Sequence, residues 1–150
     1  MSNYKTILIN PLPTLDEKQK ENTINLITAL RSGKFIQGSG PLKQINNRGK
    51  IYYCCLGLGS EILNVKNSEC PCGGKFSFDY EDYSDCEEPS NKFWRKEYGW
   101  DFHQLVVIEF EKEFSLIQLN DGFECRGFSF DELAAIIEAC FIDFKVIEFS

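Results

Sequence analysis

The stretch from Phe128 to Leu133, Phe-Ser-Phe-Asp-Glu-Leu, begins a helix. Ser129 and Glu132 stand three positions apart, as in a capping box, where each side chain accepts a hydrogen bond from the other residue's backbone amide. Phe128 and Leu133 lie on either side of this box, in the positions of a hydrophobic staple. The apolar residues that follow share one helical face and are expected in the core: Leu133, Ile136, Ile137, Cys140 and Phe141.

Two more helices are predicted upstream. Thr14 and Glu17 have the spacing of a second capping box, and Gly33 suits the left-handed cap that ends many helices. The apolar run from Cys54 to Leu63 does not distinguish helix from strand by periodicity alone, but its leucine spacing favours a helix. The buried face of the first of these helices is predicted to carry Leu26, Ile27 and Leu30, with Ile24 at its edge.

Short apolar or β-branched runs predict strands at both ends of the chain. Lys5–Ile9 is one such run, and two prolines follow it closely. Leu105–Phe110 has strand composition, and Phe114–Leu119 is expected to form either its partner strand or a short helix. Gly33–Gly49 contains several turn residues and predicts a structured loop or irregular hairpin. The tail, Asp143–Phe149, is predicted to be a terminal strand.

Residues 66–103 differ in character, because glycine, proline, serine and acidic residues are enriched there. We expect a long acidic, cysteine-containing insert in a fold of the α+β class. The whole chain is predicted to form a single small domain, with about three helices packed on a short antiparallel or mixed sheet.

Composition limits the functional classes. The chain has 150 residues, 43% of them hydrophobic, and a formal charge of −7. One core is expected, and the negative charge disfavours direct nucleic-acid binding, which requires cations against phosphates. No apolar run is long enough to span a membrane, and Met1–Lys5 does not resemble the start of a signal peptide. We therefore expect a cytoplasmic protein whose seven cysteines are reduced.

Three blocks of sequence are similar to a known pattern: Ala29–Leu42, Tyr53–Leu58, and Leu119–Gly122 with Phe128–Ala134. They resemble, in the same order, an uncharacterised family of small proteins common in bacteriophages and scattered through bacteria. Its pattern is ALRSGxYxQGxGxL, then YCCLGVLC, then LNDxGxSFxEIAxxIE. Gly59-Ser60 departs from it, standing near the second cysteine of the middle block. The resemblance implies a setting in phage or mobile-element biology and no particular reaction.

The polar parts of these blocks are the candidate ligand-binding residues. Glycines beside a polar side chain let backbone amides approach an anion closely, although a tight turn explains the same residues. If the fold has a pocket, we expect these loops to line it. The candidates are Gln37, Gly38, Gly40, Asn120 and Asp121.

A zinc site is the second candidate. Cys70-Pro71-Cys72-Gly73 holds two sulfurs on a turn, and Cys86 and His103 would complete a tetrahedral site. The second cysteine pair of typical Cys-Pro-Cys-Gly modules is missing. Free thiols in a surface loop are therefore the alternative, and no cofactor is assigned.

Other motifs have structural explanations beside functional ones. Cys54 and Cys55 would serve as nucleophiles only as thiolates, and their apolar neighbours predict buried, inert thiols. The acidic run Asp79–Glu88 is explained by solvation, with nucleic-acid mimicry as an alternative. Trp94 and Trp100 would suit a protein-contact patch, or the packing of the insert on the domain.

The function predicted is a non-enzymatic binding or interaction module of phage or mobile-element type. It would act on a host protein or sequester a small ligand. The alternatives are a zinc-stabilised accessory domain and an uncharacterised enzyme acting through Asn120, Asp121 or a cysteine. The oligomeric state is not predicted.

Overall fold

A computed structural model describes residues 3–38, 43–63, 94–101 and 103–150. It has the predicted α+β class, with helices packed against short sheets. None of the helices in these ranges is long and apolar enough to cross a membrane. Residues 94–98 are helical, and the remaining elements in chain order are β1 (Tyr4–Thr6), α1 (Glu17–Arg31), β2 (Ile36–Gln37), β3 (Lys43–Ile45), β4 (Ile51–Tyr53), α2 (Cys55–Glu61), β5 (Leu105–Glu109), β6 (Lys112–Ser115), α3 (Leu116–Asp121), α4 (Phe130–Glu138) and β7 (Glu148–Phe149).

Four strands form the main sheet in the order β6-β5-β1-β7, and every neighbouring pair is antiparallel. Their inward side chains, including Tyr4, Val107 and Phe114, are buried. α1 and α4 pack against each other, and both bury apolar residues in the same core. The predicted strand at Leu105–Phe110 is confirmed. Phe114–Leu119 contains both predicted alternatives, because β6 ends and α3 begins within it.

The first helix begins later than predicted. Asp16, not Thr14, is its N-cap: the Asp16 carboxylate accepts a hydrogen bond from the Gln19 amide at 2.7 Å. The Gln19 side chain in turn accepts from the Asp16 amide at 3.0 Å, which completes the box. The predicted Thr14–Glu17 box is therefore wrong by two residues, since aspartate is a stronger N-cap than threonine. The predicted core face, Leu26, Ile27 and Leu30, is buried as expected.

A second, smaller sheet has the order β2-β4-β3, in which β2 is parallel to β4 and β3 is antiparallel to it. β2 and β3 lie within Gly33–Gly49, where a structured loop or irregular hairpin was predicted, and both pair with β4 and not with each other. α2 follows β4 directly, so the predicted helix at Cys54–Leu63 is confirmed with slightly shorter bounds.

The C-terminal tail differs from the prediction. α4 begins at the predicted Ser129 box but continues into a π-helical turn, Ala139–Asp143. Phe144 then adopts a left-handed conformation with φ 51°, and the Lys145 amide donates to the Ala139 carbonyl at 3.0 Å. The predicted strand at Asp143–Phe149 is therefore wrong in its first half, and only β7 pairs with β1.

The predicted insert also ends too late. Trp94, Tyr98 and Trp100 are at most 3% exposed, so the segment from residue 94 belongs to the core. Trp100 stacks on Phe141 with ring centroids 4.5 Å apart, and its indole N–H donates to the Thr23 hydroxyl at 3.1 Å. Packing on the domain is confirmed for the two tryptophans, and the protein-contact patch is wrong because neither ring is accessible.

Candidate functional site

Asn120 is the centre of the candidate site. It lies near the end of α3 and is buried. Its carbonyl oxygen, Oδ1, accepts hydrogen bonds from the Gln37 side chain at 3.0 Å and the Cys55 backbone amide at 3.3 Å. Its amide nitrogen, Nδ2, donates to the Gly38 carbonyl and to the Asp121 carboxylate, both at 2.9 Å. These contacts use the two acceptor positions and both donor hydrogens of the side chain. We call this group of residues the Asn120 hub.

Gln37 is the last residue of β2, and Gly38 follows it directly. The Gln37 side-chain nitrogen also donates to the Phe128 carbonyl at 2.7 Å. Gly38 donates its amide to the Tyr53 carbonyl at 2.7 Å and lies against β4. A Cβ at Gly38 would come within 2.9 Å of the Tyr52 Cβ, so this glycine permits the close approach of two backbones.

The structure therefore brings together four of the five candidate ligand-binding residues: Gln37, Gly38, Asn120 and Asp121. Gly40 lies outside the described residues. A role in ligand binding stays a prediction, while the internal contacts of Gln37 and Asn120 are now defined. Three partners of the hub were missed, namely Cys55, Phe128 and the Tyr53 carbonyl. All three contribute backbone groups, the Cys55 amide and the Phe128 and Tyr53 carbonyls, so side-chain identity gave no signal for them.

The two adjacent thiols lie beside the hub. Cys54 caps α2, and its sulfur accepts a hydrogen bond from the Gly57 amide at 3.4 Å. Burial raises the pKa of the Cys54 thiol to about 11, outweighing the opposite effect of the Gly57 amide. Burial also raises the pKa of the Cys55 thiol well above its ordinary range. Both groups are protonated at neutral pH, which disfavours nucleophilic chemistry at these positions.

The predicted zinc ligands are only partly placed. His103 is exposed, and its backbone amide donates to the Asp101 carboxylate at 2.8 Å. Cys70, Cys72 and Cys86 lie outside the described residues. In the portions of the chain that the structure describes, no three histidine, cysteine, aspartate or glutamate residues form a group suited to a metal ion. Zinc binding by the four predicted ligands stays a prediction.

Comparison with known proteins identifies a family. The family model for a domain of unknown function, DUF8296, matches residues 17–141. The chain belongs to the DUF8296 family. No curated protein and no solved structure matches it. The match contains the whole Asn120 hub, whereas β1 and β7 of the main sheet lie outside it.

Arg126 joins separate segments of the DUF8296 domain close to the hub. The Arg126 guanidinium lies 4.0 Å from the centre of the Phe128 ring and 5.5 Å from that of Tyr4. Its two terminal nitrogens donate to the two carboxylate oxygens of Glu132 at 3.1 Å and 2.7 Å. Its Nε donates to the Ser150 carbonyl at 2.9 Å. Arg126 thus fastens the loop after α3 to the first turn of α4, a contact that sequence spacing did not reveal.

The Arg126–Glu132 pair predicts an acid-sensitive component of stability in the DUF8296 domain. The Arg126 guanidinium lowers the pKa of Glu132, and the Ser129 amide adds to this effect against the opposing effect of burial. Because the folded pKa is depressed, the stabilisation is present above the ordinary carboxyl pKa of about 4.3 and is lost as pH falls through the lower, folded value. Both side chains are about one-third exposed, so we expect the Glu132→Gln change to cost about 1 kcal/mol at neutral pH.

This prediction is measured by urea unfolding of both proteins between neutral and acidic pH. The free-energy difference between wild type and Glu132→Gln is expected to shrink below the ordinary carboxyl pKa. Glu138→Gln is the matched control, because the Arg31–Glu138 pair is more exposed and should contribute less. A difference that stays constant down to strongly acidic pH would show that Glu132 does not act through its charge.

Proposed function

We propose that this DUF8296 domain is a non-enzymatic binding module of phage or mobile-element type that acts on a host protein. The observation that carries the proposal is the closed hydrogen bonding of the Asn120 hub. The hub holds three segments of the chain to one another, and its central amide makes four internal hydrogen bonds. Polar side chains that bond to other parts of the chain in this way stabilise the fold. They favour a protein that binds its partner through its outer surface.

The other form of the proposal is sequestration of a small ligand. The residues that would bind it are Gln37, Gly38, Gly40, Asn120 and Asp121. A ligand that contacted the Asn120 amide would first have to replace its present partners. Breaking each internal hydrogen bond costs roughly 0.5–1.5 kcal/mol unless the ligand restores it. The geometry therefore supports a protein partner over a small ligand.

The exposed apolar side chains also support a protein partner. Phe110 is 80% exposed and Phe123 is 61% exposed, although most large aromatic side chains of the described chain are buried. Single exposed apolar residues are common, but aromatic rings are enriched where proteins bind each other. The phage or mobile-element setting rests on the resemblance of the three sequence blocks.

Affinity capture tests the proposal. The tagged domain is incubated with lysate of its host bacterium, and bound proteins are eluted by an excess of the untagged domain. We expect one host protein to be retained in stoichiometric amount and released by this specific competition. The proposal would be contradicted if no host protein were retained, or if the untagged domain did not release the retained proteins.

Native mass spectrometry tests the small-ligand form and the zinc alternative on the same preparation. A bound organic mass that disappears in folded Gln37→Ala protein would support a ligand at the hub. A mass excess of one zinc that disappears in Cys72→Ser would support the accessory zinc domain instead. The bare polypeptide mass together with specific capture is the result expected for a protein-binding module.

A further inference from the structure

Phe110 lies at one end of the main sheet and Phe123 lies in the loop after α3, and both side chains are exposed. Phe110 occupies the turn between β5 and β6, immediately after Glu109. Glu109 pairs with Tyr4 across the sheet, and the Tyr4 hydroxyl accepts a hydrogen bond from the Arg126 amide at 3.3 Å. The loop from Phe123 to Arg126 therefore approaches, at Arg126, the end of β5 that leads into the Phe110 turn. Burial and, after it, the charge of Glu109 raise the pKa of Cys125 in this loop, which agrees with the same proximity.

The turn at Phe110 is not adapted for stability. Glu109 and Lys112 are paired in the β5–β6 ladder, so the turn between them has two residues. Phe110 has φ 55°, in the left-handed region that glycine and asparagine tolerate best. Its ring is also the most exposed large apolar side chain of the described residues. Neither its backbone conformation nor its burial explains a phenylalanine here.

The surroundings of the two rings are acidic. Glu109 and Glu111 flank Phe110 in sequence, and Glu124 follows Phe123. The nearby cations do not balance them, since Arg126 is held in a bidentate pair by Glu132. Lys112 is the remaining cation of the turn. The rings are thus accessible apolar groups in a negative local field.

We propose that Phe110 and Phe123 form a docking surface for a basic amphipathic segment of a partner protein, in which lysine or arginine side chains accompany apolar ones. This surface, the Phe110–Phe123 surface, rests on the proposed function and specifies the partner's chemistry. Apolar side chains of the segment cover the rings, while its cations face the carboxylates and the aromatic faces. A second copy of this acidic surface would meet it with like charge, which disfavours self-association.

The test uses an amphipathic helical peptide of leucine and lysine, with a counterpart in which glutamate replaces every lysine. Binding to the full chain is measured by calorimetry at low and high salt. The lysine peptide is expected to bind, more weakly as salt rises, and the glutamate peptide is not. The Phe110→Gly change together with Phe123→Ser should weaken binding by about tenfold or more.

Matched variants separate the surface from general effects. Ile45→Ser removes a similarly exposed apolar side chain from the small sheet and should leave affinity unchanged. Glu111→Lys should weaken binding severalfold, whereas the same charge change at exposed Glu21 on α1 should have a smaller effect. Phe110→Gly alone should melt no lower than wild type, because glycine fits the turn better.

The surface would be overturned if the lysine peptide did not bind, if both peptides bound equally, or if the phenylalanine variant bound as well as wild type. The proposed surface would also be overturned if sedimentation showed a dimer of the wild-type protein that the same variant abolished, because a second copy would then cover the rings. Specific capture of a host protein that persists in this variant would refute the surface and leave the proposed binding function intact. Loss of all specific capture by wild-type protein would refute the proposed function itself.

Discussion

The Asn120→Asp variant is expected to lose about 3–5 kcal/mol of folding free energy at neutral pH, because it places an unpaired charge in a buried hydrogen-bonded site. Aspartate has nearly the same shape as asparagine, so the packing of α3 is kept. A carboxylate cannot donate to the Gly38 carbonyl or to the Asp121 carboxylate, which both accept from Asn120 at 2.9 Å. The variant would direct negative charge at two acceptors from a buried side chain.

The pH dependence identifies the cause of this loss. Burial and the Asp121 carboxylate would raise the folded-state pKa of Asp at position 120 above its unfolded value. The variant should therefore recover stability below the ordinary carboxyl pKa, when the protonated group can donate again, and lose it as pH rises. Asn120→Ala is the comparison, since it removes the same hydrogen bonds without a titrating group. Denaturant unfolding measures both, and equal pH profiles for the two variants would refute the electrostatic account.

Replacing Gly59 by alanine is expected to destabilise the domain by about 2 kcal/mol through overpacking. Gly59 lies in α2, and a Cβ there would overlap the indole ring of Trp94. The Tyr98 hydroxyl donates to the Gly59 carbonyl on the same side, which fixes the helix against the aromatic residues. Alanine is favoured over glycine by about 1 kcal/mol in a helix interior, so a net loss would show that the contact dominates propensity.

Thermal unfolding of Gly59→Ala measures this loss, and Gly127→Ala is the matched control, since a Cβ there meets nothing within 4 Å. A Trp94→Leu change should cost less in the Gly59→Ala background than in wild type, because it removes the overlap. Additive effects of the two changes would mean that the indole does not oppose the alanine methyl group.

Local sequence signals predicted α1, α2 and α4 but not the helix at residues 94–98, and they located the first residues of the helices unevenly. The Ser129–Glu132 box was right because its side chains cap a helix without help from distant residues. The Thr14–Glu17 box failed because Asp16 and Gln19 have the same spacing and a stronger cap. Several capping patterns in one short stretch compete, and here the stronger N-cap residue decided between them.

Features that depend on distant contacts were beyond local patterns. Trp94 and Trp100 appeared to belong to a polar insert, yet their rings pack on α2, α1 and Phe141. In the candidate site, Gln37 and Asn120 were predicted to lie in polar loops, whereas the structure places them in β2 and α3 and joins their side chains directly. The hydrogen bond between these two side-chain amides depends on tertiary geometry, and so does the number of partners of each amide. Local sequence patterns do not specify that geometry.

The place of β1 in the main sheet has a consequence for synthesis on the ribosome. Tyr4 pairs with Glu109 on one side and with Phe149 on the other, so β1 is translated well before either of its partner strands. α1 likewise waits for α4 before its apolar face is covered. A nascent chain that stops before β5 exposes an unpaired strand and a bare helix face, and such chains are substrates for chaperones and proteases. We expect premature termination products of this gene to be degraded rather than to accumulate as partly folded domains.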